Sequence, residues 1–564
     1  MSRRTVLLAL LVAVVGLGLA VAPVAGDLTT TQSPSVNECA AEPPSDGSSP
    51  DGGTTDTIGY VDGYWYDEAL DLELPLEEDE LDSFVARTAA RVEALRCLPF
   101  EEVPPLEFVT RDDLESDTRD GVNATEDSHW QFENARYATL LAAGQGVDAR
   151  DVEIETRTGF PSAYYDTQSE VIGFVTDDSD NIEIDQVTLA HELLHALQDQ
   201  YFDIGQIFEE PTTDDFISSL AVVEGEAMLI EDLYEENCGD GWADDCLSTT
   251  PPQPPALTTF VPTVNQLAAY HTPLVEQRYE TGGWDAVDEL FEMMPHSTVE
   301  AIYPERYGEF ERLELDIPDE SVSEWERISV EDQTQTVLGQ QKFTATFVAP
   351  VFEGHPSQIV SIDEFLEDSD PVTGEEFYDF GVSATDGWEG DAFVAYENDD
   401  EDLAGVLKTA WEDSTEAERF RDAYEQLASV RGGETDEFEN VYTFESSEEY
   451  DMALGFHHED DRVWVLTAPT VDELAEVHDF EPQELDENGA DGGDDTGVGN
   501  GADDGDDTGA DDGVDDTDAD DDTDSVADAD DDGTGFGLLI AVVGLSGATA
   551  VVVVVRRTRL LTRE

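Results

Sequence analysis

The sequence contains almost no lysine. Its 564 residues include only Lys342 and Lys408, and the other basic residues, of 24 in all, are arginines. Aspartate and glutamate together number 136, which gives a formal net charge of -112. Proteins bind nucleic acid through basic side chains that neutralise its phosphates. We therefore expect no nucleic-acid partner for this chain.

Cysteine is also scarce, with four residues in the chain. No two of them have the CxxC spacing that is typical of structural zinc sites, so we do not expect cysteine ligands for a metal. Cys238 and Cys246 flank a short loop rich in glycine and aspartate and are expected to form a disulfide. Cys39 would then pair with Cys97, although four cysteines allow three pairings and the sequence only favours this one.

Despite its charge, the central part of the chain has the composition of a folded protein. Aromatic and branched aliphatic residues recur throughout residues 58–483, which distinguishes them from a disordered acidic segment. Repulsion between the negative charges would destabilise a compact domain this acidic at ordinary ionic strength. Molar salt screens this repulsion, because it reduces the Debye length to about 3 Å. The acid-rich, lysine-poor composition resembles that of haloarchaeal proteins, which implies a salt-saturated environment.

The first 26 residues have the pattern of an export signal. Arg3 and Arg4 precede a long apolar run, and small residues precede Asp27. The start of the chain resembles a twin-arginine signal, which implies export in the folded state. Residues 27–57, rich in Thr, Ser, Pro, Gly and Asp, are predicted to be a disordered linker.

The C-terminal end has the pattern of a membrane anchor. Residues 484–534 are an acidic low-complexity segment, which we interpret as a disordered stalk. Residues 535–555 are an apolar run long enough to span a bilayer as a helix, and the arginine-rich tail 556–564 predicts that this end lies in the cytoplasm. The bulk of the protein is therefore expected outside the cell, anchored at its surface, where association with a surface layer is a further expectation.

The same C-terminal arrangement resembles the haloarchaeal sorting signal that begins with Pro-Gly-Phe. In this chain the corresponding triplet is Thr534-Gly535-Phe536. The resemblance implies a surface protein, and it leaves open whether the apolar helix is kept or replaced by a lipid.

Between these ends the residue patterns predict two α+β domains. Residues 58–340 are predicted to be mostly helical with a small sheet. Residues 341–483 change to short strand-like runs that alternate with helices, which predicts a smaller α+β domain.

The most informative motif is His191-Glu192-Leu193-Leu194-His195, an HExxH on a helix predicted for residues 186–201. Histidines four residues apart lie on one face of a helix, so both imidazoles can bind one zinc ion. Glu192 points toward the same edge, where it is expected to take a proton from a zinc-bound water as general base.

Glu224 is the expected third ligand. It lies in the most apolar segment of the folded part, residues 214–234, where an unpaired carboxylate would be costly. No lysine or arginine occurs between Arg157 and Arg278, so an ion-pair partner close in sequence is missing. Glu226 is the alternative ligand, two residues on and about 200° around the helix.

These segments resemble the gluzincin metallopeptidases, which combine HExxH with a glutamate on the next helix. Residues 191–199 are similar to the motif helix of thermolysin, and residues 223–227 to the glutamate-glycine segment of the aminopeptidase branch. The resemblance implies a zincin-like catalytic domain in which His191, His195 and Glu224 bind one zinc ion. It also implies Glu192 as general base and Asp199 as a residue that orients an imidazole from behind the metal.

Zinc peptidases usually add a residue that stabilises the negatively charged transition state. Tyr270 and His271 lie on a predicted helix of the same domain and are the candidates for this role. An ordinary structural role for each of them is the alternative interpretation.

The sequence thus predicts an exported, surface-anchored zinc metallohydrolase, a peptidase that acts on peptide or protein substrates outside the cell. The alternative is a non-catalytic cell-surface or adhesion protein in which the zinc site is structural or degenerate. A second alternative is an adhesion or substrate-binding module whose function lies in residues 343–480. An open position on the metal would favour the enzyme, whereas a fourth protein ligand would favour the structural site.

Overall fold

The computed structural model describes residues 57–484 with short gaps, together with residues 39–41, 43–44, 49–50, 539–542 and 553–555. The gaps are residues 160–161, 177–181, 208–211, 240, 250–256, 271–272, 323, 356–358, 366–377, 436 and 445–449. The predicted export signal and basic tail lie outside the described residues, as do most of the linker and nearly all of the acidic stalk.

The described residues form an α+β fold, as the sequence predicts. The helices are α1 (Glu78–Arg96), α2 (Arg111–Ala124), α3 (Asp127–Thr139), α4 (Ala149–Gly159), α5 (Gln186–Phe202), α6 (Ile204–Ile207), α7 (Thr213–Asn237), α8 (Val261–Tyr270), α9 (Pro273–Gly282), α10 (Trp284–Glu292), α11 (Thr298–Ile302), α12 (Gln340–Phe352), α13 (Ile362–Phe365), α14 (Ser414–Val430) and α15 (Val471–Val477), with a 3-10 helix at Pro304–Arg306. The strands are β1 (Tyr60–Val61), β2 (Tyr64–Trp65), β3 (Leu106–Val109), β4 (Ala163–Asp166), β5 (Val171–Val175), β6 (Trp325–Arg327), β7 (Trp388–Asn398), β8 (Leu403–Trp411), β9 (Val441–Thr443), β10 (Ala453–Glu459), β11 (Arg462–Ala468), β12 (Leu539–Val542) and β13 (Val553–Val555).

A small sheet and three long helices surround the HExxH motif. β4 and β5 form an antiparallel hairpin, and β3 pairs with β5 in parallel. α1, α5 and α7 pack against one another and, with this sheet, enclose one apolar core. α5 begins after Asp185, whose carboxylate accepts hydrogen bonds from the N–H groups of Val187 and Thr188 and so satisfies the first turn.

The second sheet is antiparallel and has the order β6-β7-β8-β11-β10-β9. Helix α3, from the N-terminal part of the chain, packs on β7 and β8, and Phe132 meets Phe393 edge to face at 5.3 Å. A single apolar core therefore contains side chains from both sides of position 341. The division into two domains at that position stays a prediction.

Two disulfides join segments near α1 and α7. They are Cys39–Cys97 and Cys238–Cys246, the pairing that the sequence favours. The second disulfide closes the loop that carries Asp244. The Asp244 carboxylate accepts hydrogen bonds from Arg87 and Arg91, two buried arginines of α1, so the loop is attached to the helix by charge as well as by packing.

The strands β12 and β13 extend the small sheet beyond β4, with Ile540 opposite Tyr165. The sequence predicts a membrane-spanning helix over residues 535–555, but the residues of this run that the structure describes are strand. A valine-rich run is compatible with a strand, because β-branched side chains fit a pleated sheet well. Among the described residues, no helix is both long and apolar enough to cross a bilayer. The rest of the run lies outside the described residues, and the membrane helix stays a prediction.

Candidate metal centre

Helices α5 and α7 bring three potential metal ligands together. The Nε2 atoms of His191 and His195 are 2.9 Å apart, and Glu224 Oε2 lies 3.4 Å from the first and 3.5 Å from the second. All three side chains are completely buried, and one ligand atom from each lies within 4.8 Å of the others. The group that the sequence predicts from HExxH and Glu224 is therefore assembled in the fold and could hold one metal ion.

Two further side chains hold the imidazole rings from behind. His191 Nδ1 lies 2.6 Å from Glu231 Oε1, and His195 Nδ1 lies 2.8 Å from Gln198 Oε1. The Gln198 amide nitrogen donates to the Val223 carbonyl and to Glu226, both at 2.8 Å, so its oxygen must face His195. Because both partners can only accept, each imidazole donates from Nδ1 and presents the Nε2 lone pair to the centre.

This arrangement of lone pairs fits a cation. Two Nε2 lone pairs and the Glu224 carboxylate converge on one point, and no described residue donates a hydrogen bond to either carboxylate oxygen. A buried carboxylate and two facing lone pairs repel one another unless a proton or a metal ion lies between them. Two imidazoles and one carboxylate form a ligand set that zinc accepts in hydrolytic sites.

The titration behaviour of the ligands reflects the same convergence. Burial lowers the pKa of His191, but Glu224 and Glu231 beside it outweigh burial and raise that pKa to about 10. Burial raises the pKa of Glu224, whereas the imidazoles, His195 above all, outweigh it and hold the pKa below its ordinary value. The centre therefore binds positive charge strongly, and a metal ion would compete with a proton for it.

Glu192 is the second unpaired carboxylate of the site. Its side chain is completely buried, and neither oxygen has a hydrogen-bond partner among the residues that the structure describes. Burial, reinforced by the negative charges of Glu224 and Glu231, raises its pKa well above the ordinary value, although His191 opposes this shift. An acid of this kind next to a metal centre has the properties of a proton acceptor and donor in catalysis.

Glu226, the alternative ligand, lies on the other side of α7 and has a different partner. Its carboxylate is completely buried and forms an ion pair with Arg96 at the end of α1, which also pairs with Asp288. Arg96 further lies over the ring of Trp284 at 4.6 Å. The arginine that is missing from the neighbouring sequence is therefore supplied by a distant helix, and it pairs with Glu226 instead of Glu224.

The structure corrects the role expected for Asp199. Its carboxylate accepts a hydrogen bond from the Tyr165 hydroxyl at 3.1 Å, not from an imidazole. Burial raises the pKa of Asp199 to about 6, although the hydrogen bond from Tyr165 opposes the shift. Gln198, one residue earlier and longer by one methylene, lies three residues from His195 and reaches its ring.

Sequence reasoning missed three residues that support the ligands, namely Gln198, Glu231 and Arg96. Two of them have a local signal: Gln198 is three residues after His195, and Glu231 is two helical turns after Glu224 on the same face. Arg96 has none, because its partner is 130 positions away. Of the two candidates for transition-state stabilisation, His271 and the side chain of Tyr270 lie outside the described residues.

The part of the chain that is similar to a known family contains the second sheet. A family described as a domain of unknown function (DUF8575) matches residues 326–478, from β6 to α15. The metal centre lies outside this match. The chain matches no curated protein and no solved structure.

Proposed function

We propose that this protein is a zinc metallohydrolase, and more narrowly a peptidase of the gluzincin type. The observation that carries the proposal is the convergence of His191, His195 and Glu224 beside Glu192, with both carboxylates unpaired among the described residues. Purely structural histidines and glutamates in a core are normally satisfied by hydrogen bonds. Here the unpaired carboxylates are concentrated where a cation would neutralise them.

The three ligands would hold one zinc ion, which when bound supplies a Lewis acid that polarises a carbonyl group and lowers the pKa of water. Gln198 and Glu231 keep both imidazoles in the tautomer that presents Nε2 to the centre. Positive charge at the ligands favours the ionised form of Glu192. Glu192 can then accept a proton from the attacking water and later return it to the leaving amine.

Export and anchoring at the cell surface are part of the same proposal. They are supported by the signal-like first 26 residues, the apolar run 535–555 and the arginines that follow it. The substrates would then be peptides or proteins outside the cell. A zinc enzyme with disulfides suits that location, because disulfides persist in an oxidising environment.

Zinc content and one conservative substitution test the proposal. The purified protein is expected to contain one zinc per chain, and Glu192→Gln is expected to keep the zinc but lose nearly all cleavage of a denatured protein substrate. Asp199→Asn is the matched control, since it makes the same carboxylate-to-amide change on the same helix away from the ligands. Substoichiometric zinc, or full cleavage by Glu192→Gln, would contradict the proposal.

One observation favours a second candidate, a structural metal site in a non-catalytic surface protein. The four side chains of the site have 0% exposure, namely His191, Glu192, His195 and Glu224. A catalytic metal needs an open position that substrate can reach. Cobalt substitution separates the two candidates, because the visible spectrum of Co²⁺ changes when an added ligand binds to an open position. A spectrum that changes on addition of a hydroxamate supports the enzyme, and one that does not change supports the structural site.

A further inference from the structure

Asn123 belongs to the triplet Asn123-Ala124-Thr125, which has the Asn-X-Thr pattern of an acceptor for N-linked glycans. The chain contains ten asparagines, and Asn123 alone is followed two positions later by serine or threonine. Such a triplet also arises by chance, so the pattern alone does not establish a modification site. Its position in the fold decides whether a transferase can reach it.

The triplet lies at the end of α2, on the surface of the fold. Asn123 and Ala124 are the last two residues of this helix, and Thr125 follows it. All five residues from Asn123 to Asp127 are exposed, whereas Val122 just before them is buried, with 3% exposure. The side-chain amide of Asn123 forms no hydrogen bond with the residues that the structure describes. Its nitrogen is therefore accessible and is not needed for a structural contact.

The end of the helix also suits the way in which a transferase reads the triplet. Side chains two positions apart in a helix point about 200° apart, so one enzyme site cannot contact both of them there. Thr125 has already left the helix, with φ -76° and ψ 141°, which is an extended conformation. Its N–H and its hydroxyl each donate one 3.3 Å hydrogen bond, to the carbonyls of Val122 and Gly121. These are long bonds at a helix end, where local opening has a low free-energy cost.

Opening of this segment would leave the surrounding core in place. The Val122 carbonyl accepts a hydrogen bond from Trp130 Nε1 at 3.2 Å, and both side chains belong to the same apolar core. α2 packs mainly against α4, whereas the candidate metal ligands are on α5 and α7. A group attached to Asn123 would therefore extend from the surface between α2 and α3, and we expect it to leave metal binding unchanged.

We propose that Asn123 is an N-glycosylation site of this protein. The inference rests on the export part of the proposed function, because the pattern is used on exported chains. The start of the chain resembles a twin-arginine signal, which implies export in the folded state. A folded chain offers only those triplets that its surface exposes, and this one is exposed.

The ligand class is a lipid-linked oligosaccharide, used by a separate transferase. The Asn123 amide nitrogen forms a bond to C1 of the first sugar, and the bond between C1 and the lipid phosphate oxygen breaks. The lipid phosphate leaves with the bonding electron pair, and a base of the transferase takes up the amide proton. No oxidation or reduction occurs in this transfer.

Mass spectrometry of the full wild-type chain tests the site. The protein is produced in a haloarchaeal host, and a second exported protein of the same cells that carries an N-linked glycan shows that transferase and donor are active. The peptide that contains Asn123 is expected to carry the added mass of an oligosaccharide. The same sample is expected to lack residues 1–26, which shows that the chain was exported.

Two substitutions of one exposed residue separate recognition of the triplet from general surface exposure. Thr125→Ala is expected to reduce the modified fraction to background, whereas Thr125→Ser is expected to keep it, because serine retains the hydroxyl. The zinc content should be the same in both variants and in the wild type.

An exported chain with unmodified Asn123 would overturn this inference alone. Modification that persists in Thr125→Ala, or that is lost equally in Thr125→Ser, would also overturn it. An unmodified chain that keeps residues 1–26 inside the cell would overturn the export proposal and the glycosylation with it. None of these results depends on zinc or on hydrolysis, so they are distinct from a failure of the metallohydrolase proposal.

Discussion

Gln198 connects the candidate metal ligands to the charged interior of the protein. Its oxygen accepts from His195, and its amide donates to the Val223 carbonyl and to Glu226, so all three hydrogen bonds are satisfied only in one orientation. A neutral amide in this position fixes the imidazole without adding negative charge. Glu231 does the same for His191 with a carboxylate, which increases the basicity of that ligand.

Replacing Gln198 by leucine is therefore expected to weaken zinc binding by about 10- to 100-fold, the usual effect of removing such a supporting group. The physical reason is that His195 loses the acceptor that fixes its tautomer. Zinc affinity is measured by competition with a chelator. Gln200→Leu, two residues along the same helix at a half-buried position away from the imidazoles, is the control and should keep its affinity. Equal affinities for both variants would contradict the role of Gln198.

The buried side chain of Lys342, on α12, should give the stability of the protein an unusual pH dependence. Burial lowers the pKa of Lys342 to about 7 in the folded protein, whereas the ordinary value is 10.5, so between these two pH values the unfolded chain binds one more proton than the folded chain. The free energy of unfolding should therefore rise as pH increases from about 7 to about 10, by a few kcal/mol relative to Lys342→Met, since each pKa unit is worth about 1.4 kcal/mol.

Urea unfolding of both proteins at several pH values measures this difference directly. Lys408→Met should behave more like the wild type, because Lys408 is only partly buried. A pH-independent difference between the wild type and Lys342→Met would show that Lys342 keeps an ordinary pKa.

At the scale of elements, α1 is the helix that supports the two ligand helices. It carries three fully buried arginines, Arg87, Arg91 and Arg96, and each pairs with a carboxylate from a distant part of the chain. Arg96 is the one next to the metal centre, because its partner Glu226 also accepts from Gln198. A helix with so many buried charges depends on its partners, since an unpaired buried ion is far more costly than a paired one.

Removal of one member of the Arg96–Glu226 pair is therefore expected to destabilise the protein by about 3–5 kcal/mol. Arg96→Met leaves the Glu226 carboxylate buried, and Glu226→Met leaves the guanidinium with only the half-exposed Asp288. The double variant should be less destabilised than the sum of the two, as urea unfolding in constant salt can measure. Additive losses would mean that the pair makes no net contribution.

At the scale of the whole molecule, the described fold contains the three candidate ligands and the residues behind them. These residues all belong to α5 and α7 and are far in sequence from the predicted stalk and the apolar run. They are His191, His195 and Glu224, with Gln198 and Glu231 behind them. A chain that ends after residue 484 is therefore expected to fold and to bind zinc with unchanged affinity. It should also be released from membranes, which fractionation of cells expressing the full and shortened chains measures.

The same comparison tests the C-terminal anchor. If the full chain is recovered in the soluble fraction as completely as the shortened one, residues 535–555 do not span a membrane. If the shortened chain loses zinc, the pairing of β12 with β4 is required for the fold. Either result changes the interpretation of the C-terminal segment without affecting the assignment of the ligands.

Local sequence patterns predicted much of this architecture. The sequence predicts the helix that carries HExxH over residues 186–201, and this helix spans Gln186–Phe202, because a capping aspartate and an apolar face define it within a few turns. The apolar surroundings of Glu224 predict its place beside the two histidines. The role predicted for Asp199 is wrong, because which residue reaches an imidazole depends on side-chain length and on the competing hydroxyl of Tyr165.

The features that can be inferred without the tertiary structure are therefore local. The helical spacing of His191 and His195, the cap at Asp185 and the acid-rich, lysine-poor composition follow from residue order alone. Only the folded structure shows that Glu224 lies beside the imidazoles and that Glu226 pairs with Arg96. The reason is physical: burial and charge pairing act between groups that are close in space, and Arg96 and Glu226 are 130 positions apart in the chain.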